Sequence, residues 1–171
     1  PTMPGVYVMP EPNAYRCPIE HCRDYCDKTC QRIGLNMYDM ASRGEGAAII
    51  AEPIISAGGV LVPPEDYFTS LKEEAAKRGM LLILDEAQTA FGRIGKKFGA
   101  ERFNAIPDIM AVSKTLGGGV PLAAAITTDE IESSVHEKGF TFYTSHVADP
   151  LPAQVGLAVL ATIEEEDLVR R

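Results

Sequence analysis

Tryptophan is absent from the 171 residues, histidine occurs three times, and no apolar run approaches the roughly 18 residues of a membrane span. No basic stretch followed by an apolar segment opens the chain, so no secretory leader is read there. Internal repeats and low-complexity tracts are missing too. Basic residues are scarce, 16 Lys and Arg against 24 Asp and Glu, and the formal net charge of −8 argues against nucleic-acid or anionic-membrane partners. With 46% hydrophobic and 23% charged residues, the expectation is one soluble, cytoplasmic globular domain with a sizeable core. The chain opens on Pro1 and closes on "EEEDLVRR", a helical pattern still running. It therefore reads as a piece of a longer polypeptide.

Short Cys-x-x-Cys knuckles are also lacking, although four cysteines sit together in "RCPIEHCRDYCDKTC". Cys22, Cys26 and Cys30 step by four, so a helix over 19–32 would align them as a stripe of small, weakly apolar side chains. Plain thiols are the expectation. A thiolate-bound metal, with His21 nearby, and disulfides are the alternatives.

Apolar runs alternate with amphipathic ones. Segment 1–18, rich in proline, reads as an extended loop. "GAAIIAEPII" (46–55) is a buried strand ending at Glu52, stopped by Pro53. "PPEDYFTSLKEEAAKRG" is a helix with proline and acids at its start, Leu71 and Ala75 inward, Lys77 and Arg78 near its end and Gly79 as terminator. Met80–Leu84, 108–114 and 121–128 are further strands, with helices in "DEIESSVHEKG" and "DPLPAQVGLAVLATIEEED". Uninterrupted apolar strands alternating with helices imply an α/β fold: a mostly parallel sheet with helices on both faces.

In such sheets ligands bind at the carboxyl ends of the strands, and three strands here end in Glu52, Asp85 and Lys114. An apolar strand ending in Asp85-Glu86 suits the magnesium arm of an ATPase. That chemistry needs a phosphate loop, and the only Gly-Lys pair, Gly95-Lys96, precedes Lys97 rather than a hydroxyl. The second reading joins Asp85 to Lys114. A lysine in a desolvated pocket becomes a nucleophile able to form a Schiff base, and pyridoxal phosphate requires such a lysine together with a carboxylate for its pyridine nitrogen. In "SKTLGGG", three glycines after Lys114 would let the backbone approach a ligand.

"LLILDEAQTAFGR", "PDIMAVSKTLGGGVPLAA" and "FYTSHVADPLPAQVGLAVL" resemble class III pyridoxal-phosphate aminotransferases of fold type I. The likeness runs from Ala51 to the C-terminus and is greatest toward the 2,2-dialkylglycine decarboxylase branch; the cysteine-bearing segment is matched less securely. The resemblance implies that Lys114 is the Schiff-base lysine and that Asp85 pairs with the pyridine nitrogen. It places Ala87 against the ring face and Gln88 near the ring hydroxyl and reacting centre. Ser145, where the family usually has threonine, binds the cofactor phosphate of the neighbouring subunit, and Glu52 is an active-site glutamate. An alkali ion, potassium or sodium, would take the Asp149 carboxylate and the Ser145 and Val147 carbonyls; an N-cap role for Asp149 stands beside that.

Read residue by residue without the family, Gln88 is a helix-start residue, Glu52 an ion-pair partner and Ser145 a turn residue, while His136 and His146 lack a motif partner and are taken as structural. The implied reaction is decarboxylation-coupled transamination of dialkylglycines with a keto acid such as pyruvate. Ordinary transamination is the alternative, and an inactive fragment or cysteine-based metal module is the non-enzyme alternative. The resemblance further implies a homodimer or higher oligomer with a shared active site. Residues 1–171 would form part of the large domain, with the phosphate cradle, the stacking aromatic and the carboxylate-binding arginine lying elsewhere.

Overall fold

The structure, a computed structural model, describes residues 3–23 and 25–171; of residue 23 only the backbone is described. The first residues of segment 1–18 and residue 24 of the expected 19–32 helix thus lie outside the described residues. Four strands form one sheet in the order β1-β2-β3-β4: β1 Ala48–Ala51, β2 Leu81–Asp85, β3 Ile109–Val112 and β4 Ala124–Thr127. β1, β2 and β3 are parallel, and β4 joins antiparallel to β3. The α/β class and the mostly parallel sheet are as the sequence implies. Among the described residues no helix is long and apolar enough to cross a membrane.

Helix α1 (Thr29–Ala41) precedes β1, α2 (Tyr67–Lys77) and α3 (Gly99–Arg102) connect the parallel strands, and α4 (Asp129–Glu137) and α5 (Pro150–Glu165) follow β4. In α2, Phe68, Leu71 and Ala75 recur at helical spacing and are wholly buried, Phe68 and Leu71 against Leu82 and Leu84 of β2. Its end is closed by Gly79 at φ 68°, with the Gly79 amide donating to Ala76 O (3.0 Å) and the Met80 amide to Ala75 O (2.9 Å). That pair of bonds is a Schellman cap, which needs a left-handed residue and explains the glycine. Asp108 then ties β2 to β3. Its Oδ2 accepts the Leu82 amide at 2.7 Å, and its carboxylate pairs with Lys72 of α2.

The strand register places Ile49, Leu82, Leu84, Met110 and Val112 on one face, under α2, α3 and the Phe68–Phe103 edge-to-face pair (5.3 Å). The opposite face carries Leu81, Ile83 and Asp85, all half-buried, and Ile50 at 66% exposure. Packing among the described residues is therefore dense on one face and open on the other.

The helix over 19–32 is not formed as such. A single 3-10 turn, Glu20–Arg23, stands apart, residues 25–28 have no regular structure, and α1 starts at Thr29. The cause lies at Asp27: its Oδ1 accepts the Thr29 amide (3.0 Å) and hydroxyl (2.6 Å), offering the backbone a local partner other than a helical carbonyl. Lys28 sits at φ 59° and breaks any continuous helix. Cys22, Cys26 and Cys30 thus occupy three different local conformations rather than one stripe.

Directly after β2 lies the most buried charge of the chain. Glu86 is 0% exposed. Its carboxylate accepts the Gly99 amide (2.9 Å), the Ala100 amide (2.7 Å) and the Thr89 hydroxyl. A Cβ on Gly99 would meet Pro53 at 2.6 Å and Glu86 Oε2 at 3.0 Å, so only glycine admits this approach. Glu86→Ala should destabilise the protein by about 3 kcal/mol, because two buried amides and a hydroxyl lose their acceptor. Urea unfolding measures it, and a loss under about 0.5 kcal/mol, the scale of a surface change, would contradict this role.

Candidate active site

Parallel pairing brings the carboxyl ends of β1, β2 and β3 to one edge of the sheet, and Glu52, Asp85 and Lys114 all sit there. Asp85 is the last residue of β2 and lies opposite Ala111 of β3. Strand alternation turns Asp85 to the open face and Glu86 into the core, which separates two adjacent carboxylates into different tasks. Asp85 Oδ1 accepts the Ala87 amide at 3.0 Å, and among the described residues Oδ2 has no donor.

Lys114 follows β3 by two residues and opens a 3-10 turn, Lys114–Gly117. Its backbone is left-handed at φ 49°, a conformation that costs a non-glycine residue on the order of 1 kcal/mol and concentrates at functional sites. Its side chain is exposed and has no carboxylate partner among the described residues. The desolvated pocket expected around it is not formed by these residues, since nothing described covers the amine.

The glycines after Lys114 have a packing role. A Cβ on Gly118 would meet Val159 of α5 at 2.8 Å, and one on Gly117 would meet Leu122 at 3.3 Å. They let α5 and the 120–122 segment lie against the lysine turn; only Gly119, at φ 107°, faces open space. Arg93, reaching back from the loop after β2, donates to Thr115 Oγ1 at 3.4 Å. Phe91, Thr115, Val155, Val159 and Ile163 line a cavity of about 670 Å³ beside this turn.

The remaining expected residues are distributed unevenly. Ala87 is half-buried and Gln88 exposed, immediately beyond Asp85. Glu52 Oε2 accepts the Ser56 amide (3.2 Å) and hydroxyl (3.1 Å), a local turn rather than an ion pair. Ser145 and Val147 lie exposed in the turn before α5, and no described contact joins them to Asp85 or Lys114. Asp149 occupies the N-cap position of α5 without capping through its side chain; instead Oδ2 meets His146 Nδ1 at 2.8 Å. His146 thus has the carboxylate partner that motif spacing did not reveal, because a pair three residues apart before a helix forms no recognised motif. Glu86, equally unassigned from sequence, shows only as the second letter of Asp-Glu, and nothing local says which of the two points inward.

The family model for aminotransferase class III matches residues 1–171. An uncharacterized aminotransferase of Schizosaccharomyces pombe is 42% identical over 172 residues, covering 100% of this chain and 38% of that protein. The leucine/methionine racemase of Thermococcus litoralis is 39% identical over 167 residues, covering 97% of this chain and 37% of that protein. A crystal structure of a Bacillus anthracis aminotransferase superposes with a TM-score of 0.84 at 33% identity, covering 95% of this chain and 37% of that one. The chain spans less than two fifths of the length of these relatives. With the lysine and aspartate at neighbouring strand ends and the whole of its length matched, the chain belongs to the aminotransferase class-III family, whose enzymes depend on pyridoxal phosphate.

Proposed function

We propose that this chain supplies the lysine and aspartate of an active site that transfers an amino group from an amino acid to a keto acid such as pyruvate. One observation supports it above the others: Lys114, unpaired and held left-handed, stands at the end of the strand next to the one ending in Asp85. The residues present suit pyridoxal phosphate, since Asp85 Oδ2 has no donor and the Lys114 amine no ion-pair partner among the described residues. When bound, the cofactor supplies an electron sink for the carbanion at the substrate α-carbon.

The protein's own groups do the rest. Lys114 Nζ would hold the cofactor and would act as the base and acid that moves a proton at the substrate α-carbon. Asp85 would accept the ring N–H and favour the positive form of that nitrogen, and the Ala87 amide donating to Oδ1 fixes the carboxylate's direction. The small Ala87 leaves space beside Asp85 for a flat ring, and Gln88 offers an amide to the ring hydroxyl. Ser145 serves the phosphate of a neighbouring subunit in a homodimer; exposed Phe142, Tyr143, Val147 and Leu151 around it suit such a contact. Asp149 Oδ2 meets His146 Nδ1, so holding an alkali ion would fall to its other oxygen together with the Ser145 and Val147 carbonyls.

Which bond to the α-carbon breaks separates two versions. Likeness to the dialkylglycine decarboxylase branch favours loss of the carboxylate, as a dialkylglycine has no α-hydrogen. The aminotransferase and racemase relatives favour loss of the α-proton, hence ordinary transamination. Release of carbon dioxide from 2-aminoisobutyrate with pyruvate present distinguishes them: release supports the first, and its absence alongside amino transfer from an ordinary amino acid supports the second.

Lys114→Ala in the full-length protein should lower amino transfer at least about a thousandfold, with the circular-dichroism spectrum unchanged. A folded variant with full turnover would sink the proposal. Borohydride reduction of the loaded protein should place a pyridoxyl adduct on Lys114. An adduct elsewhere, or none on a folded protein, would remove that role.

A further inference from the structure

Apart from the strand-end site, the described residues contain one cluster of groups able to hold a metal: His21, Cys22 and Asp27. Their ligand atoms all lie within 4.8 Å of one another. His21 Nε2 is 3.2 Å from Asp27 Oδ2, and Cys22 Sγ is 3.3 Å from Asp27 Oδ1. A tetrahedral zinc ion with bonds of about 2.0–2.3 Å has ligand-to-ligand edges of about 3.3–3.8 Å, so both contacts sit near that spacing. The Cys17 thiol stands outside that 4.8 Å set but close enough to Cys22 to act on its ionisation, and it would complete the ligands on binding.

We propose that Cys17, His21, Cys22 and Asp27 form a structural site for one divalent ion of borderline softness, zinc above others. Two sulfurs, one imidazole nitrogen and one carboxylate oxygen suit zinc better than magnesium or calcium, which take oxygen. Four protein ligands leave no open position, as expected of a structural rather than a catalytic site.

The surroundings fit the assignment. The Thr29 amide (3.0 Å) and hydroxyl (2.6 Å) orient the Asp27 carboxylate, as partners outside a metal's ligand set commonly do. The ion displaces both thiol protons to solvent, and His21 ligates through the Nε2 lone pair with its proton on Nδ1. Two thiolates, one carboxylate and the dication leave one negative charge, offset by the Arg32 guanidinium 3.6 Å from Asp27 Oδ2.

As a cap for α1, Asp27 needs only the Thr29 amide. That role leaves the convergence of an imidazole and a thiol from a separate 3-10 turn unexplained. An ion there would fasten Cys17 and the 3-10 turn Glu20–Arg23 to the start of α1. Cys22 and Cys30 are buried, and Cys30 belongs to the core cluster with Phe68 and Leu82, so the fastening would reach the core.

The test is cobalt(II) titration of the reduced, metal-stripped full-length protein, followed by displacement with zinc. Expected is one equivalent bound with a thiolate-to-cobalt charge-transfer band, bleached by zinc. Cys26→Ser should keep it, because Cys26 belongs neither to the cluster nor to the groups that act on the Cys22 thiol. His21→Ala and Cys17→Ser should each weaken binding more than about tenfold. These two partly exposed positions keep the test decisive if Cys22→Ser fails to fold. No charge-transfer band in the wild-type protein, an unchanged affinity in His21→Ala, or an equal loss in Cys26→Ser would each overturn the site. Metal binding is read without turnover, so the result is independent of the aminotransferase proposal.

Discussion

Register between β2 and β3 governs everything chemical in this chain. Asp85 lies opposite Ala111, and because the side-chain period of a strand is two, this pairing decides which of Asp85 and Glu86 meets the core. A slip of one residue would drive Asp85 under α2 and turn Glu86 outward, leaving the Gly99 and Ala100 amides without an acceptor. The register is held from both ends: by Asp108 at the Leu82 amide, and by the Glu86 amide donating to Ala111 O at 2.8 Å. Buried Leu82 and Leu84 exact the same alignment through packing on Phe68 and Leu71.

The proposed site thereby falls on the less occupied side. The dense face, with its aromatic pair and wholly buried leucines, is a rigid floor. The open face and the strand ends carry Asp85 and Lys114, which has no ion-pair partner among the described residues. The left-handed backbone at Lys114 costs energy that the turn recovers through Leu116 and Gly117, buried beneath α5. A lysine that neither pairs nor buries itself contributes little to stability, so its strained position points to chemistry rather than folding.

The two ends of the chain illustrate opposite limits on reading structure from sequence. Strands and α2 were legible because each local signal agreed with the others: apolar runs, a proline stop after Ala51, helical spacing of Phe68, Leu71 and Ala75, and a glycine closing the helix. The 17–32 segment was not, because the four-residue step of its cysteines mimics a helix while Asp27 captures the Thr29 amide. A side chain that competes with the backbone leaves no mark on hydrophobic periodicity.

From the sequence alone came the α/β class, the grouping of Glu52, Asp85 and Lys114 at or just beyond strand ends, and the family, since these depend on local pattern and on motifs that survive without coordinates. Only the tertiary structure decided that Glu86 is the inward carboxylate, that Gly117 and Gly118 admit α5 and Leu122, that His146 meets Asp149, and that His21 and Cys22 meet Asp27. Each of these is a contact between segments or a choice of direction at a chain reversal. Such choices follow from how buried donors and acceptors are satisfied in three dimensions, and no one-dimensional period encodes them.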